Sequence, residues 1–202
     1  MALIDVMVIL ETTSGVPENR IVNTWHFDDD DGSTHSTIVD QLEAFYNAVE
    51  NLYPAYIPAS GHVIKGYQVS DPEPRAPIFD ETFTFTSAPS GIPLPLETAV
   101  VLSYQAAPVS GIPQARRRGR VYLGPISSAN LHTDGRISST AMNLVLDAAD
   151  SLLTASLASS TWKWSTHSRV LGSGSEVMGG WVDNEWDTQR RRGRDATIRT
   201  SF

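Results

Sequence analysis

Arginine is where this sequence concentrates its chemistry. Gln114-Ala115-Arg116-Arg117-Arg118-Gly119-Arg120 has a near-copy in Gln189-Arg190-Arg191-Arg192-Gly193-Arg194, and the two strings hold eight of the fifteen Lys and Arg residues. A guanidinium is planar, stays charged, and can hold a carboxylate or a phosphate through two parallel hydrogen bonds. The glycine lets the backbone turn or come close to a partner. Adjacent like charges repel, so a partner of opposite sign is favoured over an empty surface. Candidate acidic partners are the run Asp28, Asp29, Asp30 and Asp31, and the group Asp183, Glu185 and Asp187. The arginines Arg116, Arg117, Arg118, Arg120, Arg190, Arg191, Arg192 and Arg194 therefore have three readings: ion pairs that join subunits, contacts to a nucleic-acid backbone, or solvated charge. The remainder of the chain is acidic, which places the first reading ahead of the second.

Patterns for catalysis are weaker. His35-Ser36-Thr37 and His132-Thr133 share part of the signature of two-histidine phosphoesterases, but Asp134 stands where the second motif needs a hydroxyl. His26, Asp28 and His35 form a short-range set of possible metal ligands, a kind of cluster that chance often supplies. Four consecutive aspartates lack the alternating ligand spacing of a calcium loop. Gly172-Ser173-Gly174-Ser175-Glu176 is not followed by the Lys-Ser/Thr of a phosphate-binding loop, and no Gly-x-Ser-x-Gly elbow occurs. The expectation is a non-enzymatic protein with no metal and no cofactor.

The elements that must position these residues follow from periodicity. Residues 4–10 and 20–27 read as two strands that can form a hairpin across 11–19. Ile38, Val39, Leu42, Phe45, Tyr46, Val49, Leu52 and Tyr53 recur at helical spacing, with Thr37 as a cap and Pro54 as a stop. Strands are expected at 62–69, at 79–86, where Thr82 to Thr86 alternates with Phe, and at 97–105 and 118–123. The last two would make a hairpin whose long loop carries Arg116 to Arg118. A second helix is expected over 139–158, capped by Ser138, with Ile137 and Met142 as a staple. Two strands close the chain: 161–166, with Trp162 and Trp164 on one face, and a final segment from Trp181 that leads into the second arginine string.

This order does not alternate strictly, which argues against a doubly wound parallel sheet. The expected class is α+β: an antiparallel or mixed sheet with two amphipathic helices packed on it, in a single domain spanning 1–202. The alternative is a β-sandwich or jelly roll with helical connections. A hydrophobic fraction of 41% and a charged fraction of 19% are those of a folded chain. Net charge is −8, which argues against wholesale coating of nucleic acid but leaves room for a local basic patch. There are no cysteines, so disulfides and thiolate metal sites are excluded. The first ten residues lack a cationic start and carry Asp5 within the apolar run, unlike a signal peptide. No run is long enough for a membrane helix, and no membrane partner is expected.

Three stretches carry a resemblance: 93–104 with Pro93-Leu94-Pro95-Leu96-Glu97, 115–125 with the first arginine string, and 182–193 with Val182-Asp183-Asn184-Glu185-Trp186-Asp187 before the second. Together they resemble uncharacterised proteins of bacteriophage and small-virus genomes. In outline the chain is similar to tail-terminator or head–tail joining proteins. The resemblance implies a virion structural protein, assembled in a host cytoplasm, that forms a homo-oligomeric ring or shell and touches other virion proteins. Nucleic acid is a secondary partner on this reading. A jelly-roll capsid or decoration protein is the alternative, although the apolar N-terminal strand differs from the basic arm usual in shell proteins of small viruses.

Overall fold

The structure, a computed structural model, describes residues 2–13, 20–29, 35–68, 76–92, 98–105, 118–124, 126–131, 137–156, 161–172 and 175–187. Its first strand, β1 (Ala2–Glu11), alternates strictly: Ile4, Val6, Val8 and Leu10 are fully buried, while Asp5, Met7 and Ile9 face the other way and are half-buried. β2 (Arg20–Asp29) returns antiparallel beside it, with Glu11 opposite Arg20 at the hairpin end. Helix α1 (His35–Val49) runs into a 3₁₀ turn at Glu50–Leu52. β3 (His62–Gln68) then pairs with the free side of β1, and β4 (Phe79–Phe83) pairs with β3. The order in this sheet is β2-β1-β3-β4.

The second half repeats that plan. β5 (Thr98–Gln105) and β6 (Arg118–Leu123) form a hairpin, α2 (Ser139–Ser156) follows, and β7 (Thr161–Gly172) and β8 (Ser175–Asp187) complete a sheet of order β6-β5-β7-β8. Each sheet is thus one ββαββ unit with the same strand order. The helices match as well: shifting the first unit onto the second takes buried Ile38, Val39, Leu42, Phe45, Tyr46 and Val49 onto Ala141, Met142, Val145, Ala148, Ala149 and Leu152, all buried. The units meet through equivalent parts, β2 alongside β6 and α1 against α2.

One hydrophobic core runs through both units, from Ile4, Trp25 and Phe45 to Val121, Leu123, Val145 and Leu152. Trp25 meets Phe45 edge-on at 5.2 Å, and its indole N–H donates to the Tyr46 hydroxyl at 3.2 Å. Full burial of such side chains contributes roughly 1.5–3 kcal/mol each.

The α+β class and the two helices are as the sequence led one to expect. The single sheet is not: the described ladders form two sheets, and all six ladders are antiparallel. A jelly roll passes its strands between two facing sheets, whereas here each sheet is drawn from one contiguous half of the chain. Helix α1 begins at His35, before Thr37. The alternation through Thr86 does not extend β4, which stops at Phe83. Beyond it the Phe85 N–H donates to the Ala59 carbonyl at 2.7 Å, and the Thr86 and Ser87 N–H groups donate to the Asn47 and Glu50 side chains at 3.1 Å each. The Ser87 hydroxyl also donates to Glu50. The end of α1 thereby takes backbone donors that a longer ladder would have used.

Candidate interaction surfaces

The sequence treated each arginine string as a unit, but the structure divides the first. Arg118 and Arg120 lie in β6, opposite Gln105 and Ser103 of β5. Arg116 and Arg117 lie outside the described residues, as do Arg190, Arg191, Arg192 and Arg194. The acidic candidates divide too. Asp28 and Asp29 end β2, opposite Leu3 and Ala2, while Asp30 and Asp31 lie outside the described residues. Asp183, Glu185 and Asp187 belong to β8, opposite Ser165, Lys163 and Thr161.

Topology decides which of these can meet within one chain. β6 and β8 are the two edges of a single sheet, with β5 and β7 between them. Three strand spacings separate their backbones by about 14 Å. The β8 carboxylates are therefore not cross-strand partners of Arg118 and Arg120. The neighbour of β6 in the other unit is β2, the strand that carries Asp28 and Asp29.

On the outward face of the first sheet three charged pairs are seen among the described side chains. Arg20 Nε lies 3.0 Å from Glu11, His26 Nδ1 lies 2.6 Å from Asp5, and Lys65 Nζ lies 2.8 Å from Asp80. Each pair joins adjacent strands. The bond to Asp80 pushes the Lys65 ammonium above its ordinary value, so it stays charged. Between the pairs runs an apolar row, Val22–Ile9–Val63, of which Val22 is 47% exposed.

Histidines account for most of the catalytic alternatives. His26, a possible metal ligand beside Asp28 and His35, is bonded to Asp5 instead. The His35 ring lies 5.2 Å from that of Phe79, and His132 is outside the described residues. A histidine that sequence reasoning passed over is the most constrained of all. His62 is fully buried, with its ring 4.5 Å from Phe85 and 5.1 Å from Phe83. Its Nδ1 accepts from the Glu11 N–H at 3.2 Å, and its Nε2 donates to the Pro58 carbonyl at 2.9 Å. A carbonyl can only accept and a backbone N–H can only donate, so the neutral Nε2–H tautomer is specified. Burial pushes its pKa below the usual histidine value.

Glu43 carries a carboxyl raised above the usual range by burial, with Asp40 and Glu81 adding repulsion. Tyr46 and Tyr53 are buried phenols held protonated by desolvation. Among the described residues, no helix is long and apolar enough to cross a membrane. Compared with family models, curated proteins and solved structures, the chain matches none.

Proposed function

We infer that the chain is a non-enzymatic structural subunit of a larger assembly, a homo-oligomeric ring or shell of the virion type that its arginine strings and their flanks resemble. The observation that supports assembly is the chemistry of the two outer strands. β4 ends the first sheet and β8 ends the second. An edge strand presents unpaired backbone donors and acceptors to another chain. Both edges are acidic: β4 carries exposed Asp80 and Glu81, and β8 carries Asp183, Glu185 and Asp187. Two acidic edges repel each other; within the sheet Arg118 and Arg120 stand about 14 Å from β8, and in the β7 ladder Asp183 and Asp187 lie opposite Ser165 and Thr161, with Lys163 opposite Glu185. An arginine string from a neighbouring copy, Arg116 to Arg118 or Arg190 to Arg192, is the complementary partner. Head-to-tail contacts of this kind close into rings or extend into filaments.

Native mass measurement and negative-stain imaging of the purified protein test this. A symmetric oligomer is expected at low salt, losing subunits as salt screens the edges. Asp183→Asn with Glu185→Gln should shift it toward monomer. A chain that stays monomeric at every concentration and salt would remove the reading.

A further inference from the structure

The first sheet ends in a strand that is open on one side. β4 pairs with β3, and among the described residues no strand pairs with its other edge. Its five residues divide by face. Phe79, Glu81 and Phe83 stand opposite Gly66, Ile64 and His62, all buried on the side of the helices. Asp80 and Thr82 stand opposite Lys65 and Val63 on the outward side. Asp80, Glu81 and Thr82 are exposed, and Phe79 is half-buried, its ring set between Gly66 and His35. The edge carries a carboxylate on each face. Asp80 holds Lys65 at 2.8 Å on the outward face. On the helix face, Glu43 of α1 has its carboxyl raised by burial and then by the repulsion of Asp40 and Glu81. α1 and β4 contain no Lys or Arg.

The segment that follows β8 has the opposite sign. Residues 188–202 hold five arginines, Arg190, Arg191, Arg192, Arg194 and Arg199, against one acidic residue, Asp195. They lie outside the described residues, and their sequence changes character along its length. The arginine string comes first. Thr197-Ile198-Arg199-Thr200-Ser201-Phe202 then reads as a strand, free of Gly and Pro, with Ile198, Thr200 and Phe202 at one parity and Thr197, Arg199 and Ser201 at the other. β4 divides in the same way, with Phe79 and Phe83 at one parity and Asp80 at the other. Any register, parallel or antiparallel, that continues the face of Phe79 and Phe83 with Ile198 and Phe202 therefore sets Arg199 on the face of Asp80.

We propose that residues 196–202 of one copy add as a strand to the β4 edge of the next. The contact rests on the assembly reading above and supplies one of its joints. An added strand is held by main-chain hydrogen bonds, while alternate side chains select the partner. Ile198 and Phe202 extend the apolar row of Phe79 and Phe83, and Arg199 joins the carboxylate of Asp80 as an opposite charge across the ladder. The arginine string just before this strand brings cations to an edge and a helix that have none. The geometry favours the next copy over the same chain. The halves meet at β2 and β6, so β7, β5, β6, β2, β1 and β3 stand between β8 and its own β4. Seven strand spacings make roughly 33 Å, while residues 188–195 extend to about 29 Å at most. A segment that leaves one outer edge and seats on the opposite edge of the next copy makes a head-to-tail contact, the kind that closes a ring.

Cysteine pairing tests the seat, because the chain has no cysteine of its own. Full-length Thr82→Cys is mixed with full-length Thr197→Cys, Arg199→Cys or Ser201→Cys and oxidised. A disulfide joining two chains is expected in at least one of these mixtures, and in none when Thr24→Cys, on β2 at the far side of the same sheet, replaces Thr82→Cys. Ile198→Asp with Phe202→Asp should raise the concentration at which half the protein is monomeric by about tenfold or more, read by native mass measurement. Thr200→Pro, which removes a ladder donor without adding charge, should act in the same direction should the double variant not fold. The proposal is overturned if no mixture cross-links, if Thr24→Cys cross-links as readily, or if the oligomer is indifferent to both sets of changes. It is also overturned if a chain carrying Thr82→Cys and Arg199→Cys together closes the disulfide within a monomer. An oligomer that persists through those failures leaves the assembly reading standing with a different joint, whereas a chain monomeric at every concentration and salt removes both.

Discussion

His62 shows how one side chain can tie the stability of this fold to pH. Its neutral tautomer accepts from β1 and donates to the loop at Pro58, between two phenylalanine rings. Protonation would put a second donor against the Glu11 N–H. The folded pKa lies below the ordinary value, so the unfolded chain takes up the proton first. The contribution of His62 is complete above about pH 6.5 and falls by up to about 1.4 kcal/mol per pH unit below it, until the folded histidine also titrates. Denaturant unfolding between pH 8 and pH 5 should show this loss, and His62→Gln should flatten it; equal pH dependence in both proteins would contradict the assignment. Gly66 illustrates a different constraint. A Cβ there would collide with the ring of Phe79, its ladder partner, so the aromatic ring covers the place a side chain would take. Alanine at this position is expected to cost about 1–3 kcal/mol, measurable as a lowered denaturation midpoint, because the ring must move out of a packed site.

At the scale of elements, the helices were the most legible part of the sequence, since their burial repeats every three or four residues. The α1 stripe is buried throughout, and Ser138 caps α2, its hydroxyl accepting from the Ala141 N–H at 3.2 Å. Ser138→Ala should therefore cost about 1 kcal/mol, read from urea unfolding, with glycine milder than alanine. The hairpins were legible too, because alternation and turn residues mark them locally. The end of β4 was not. Thr84, Phe85 and Thr86 continue the pattern of a strand, but side chains from α1, distant in sequence, take the backbone groups there. Nor could alternation reveal that Arg118 and Asp183 sit at opposite edges of one sheet. That separation depends on which strands intervene, a long-range outcome that the flanking residues do not encode.

For the whole molecule, the repeat was hidden because equivalent positions hold different residues. Phe45 and Tyr46 correspond to Ala148 and Ala149, and Gly66 to Ser168, so the plan survives in register and burial while the letters differ. One hydrophobic core spans both halves, so they are expected to unfold together. Leu123→Ala, in the second half, should cost about 2–5 kcal/mol and lower hydrogen-exchange protection in β1 as much as in β5. Protection lost from the second half alone would show that the halves unfold separately. The candidate surfaces were legible as composition but not as placement: the arginine strings announce a partner, yet only the ladders show Arg118 and Arg120 at one edge of a sheet and Asp183, Glu185 and Asp187 at the other. The seam of β2 against β6 and α1 against α2 has a further consequence. In a dimer of separate chains such a seam would weaken on dilution, and any substitution would appear on both sides at once. Covalent linkage removes both restrictions. The halves stay joined at any concentration, and each can carry residues that the other lacks, as Gly66 and Ser168 do at equivalent positions. Linkage in one chain thus lets two units of one plan differ residue by residue.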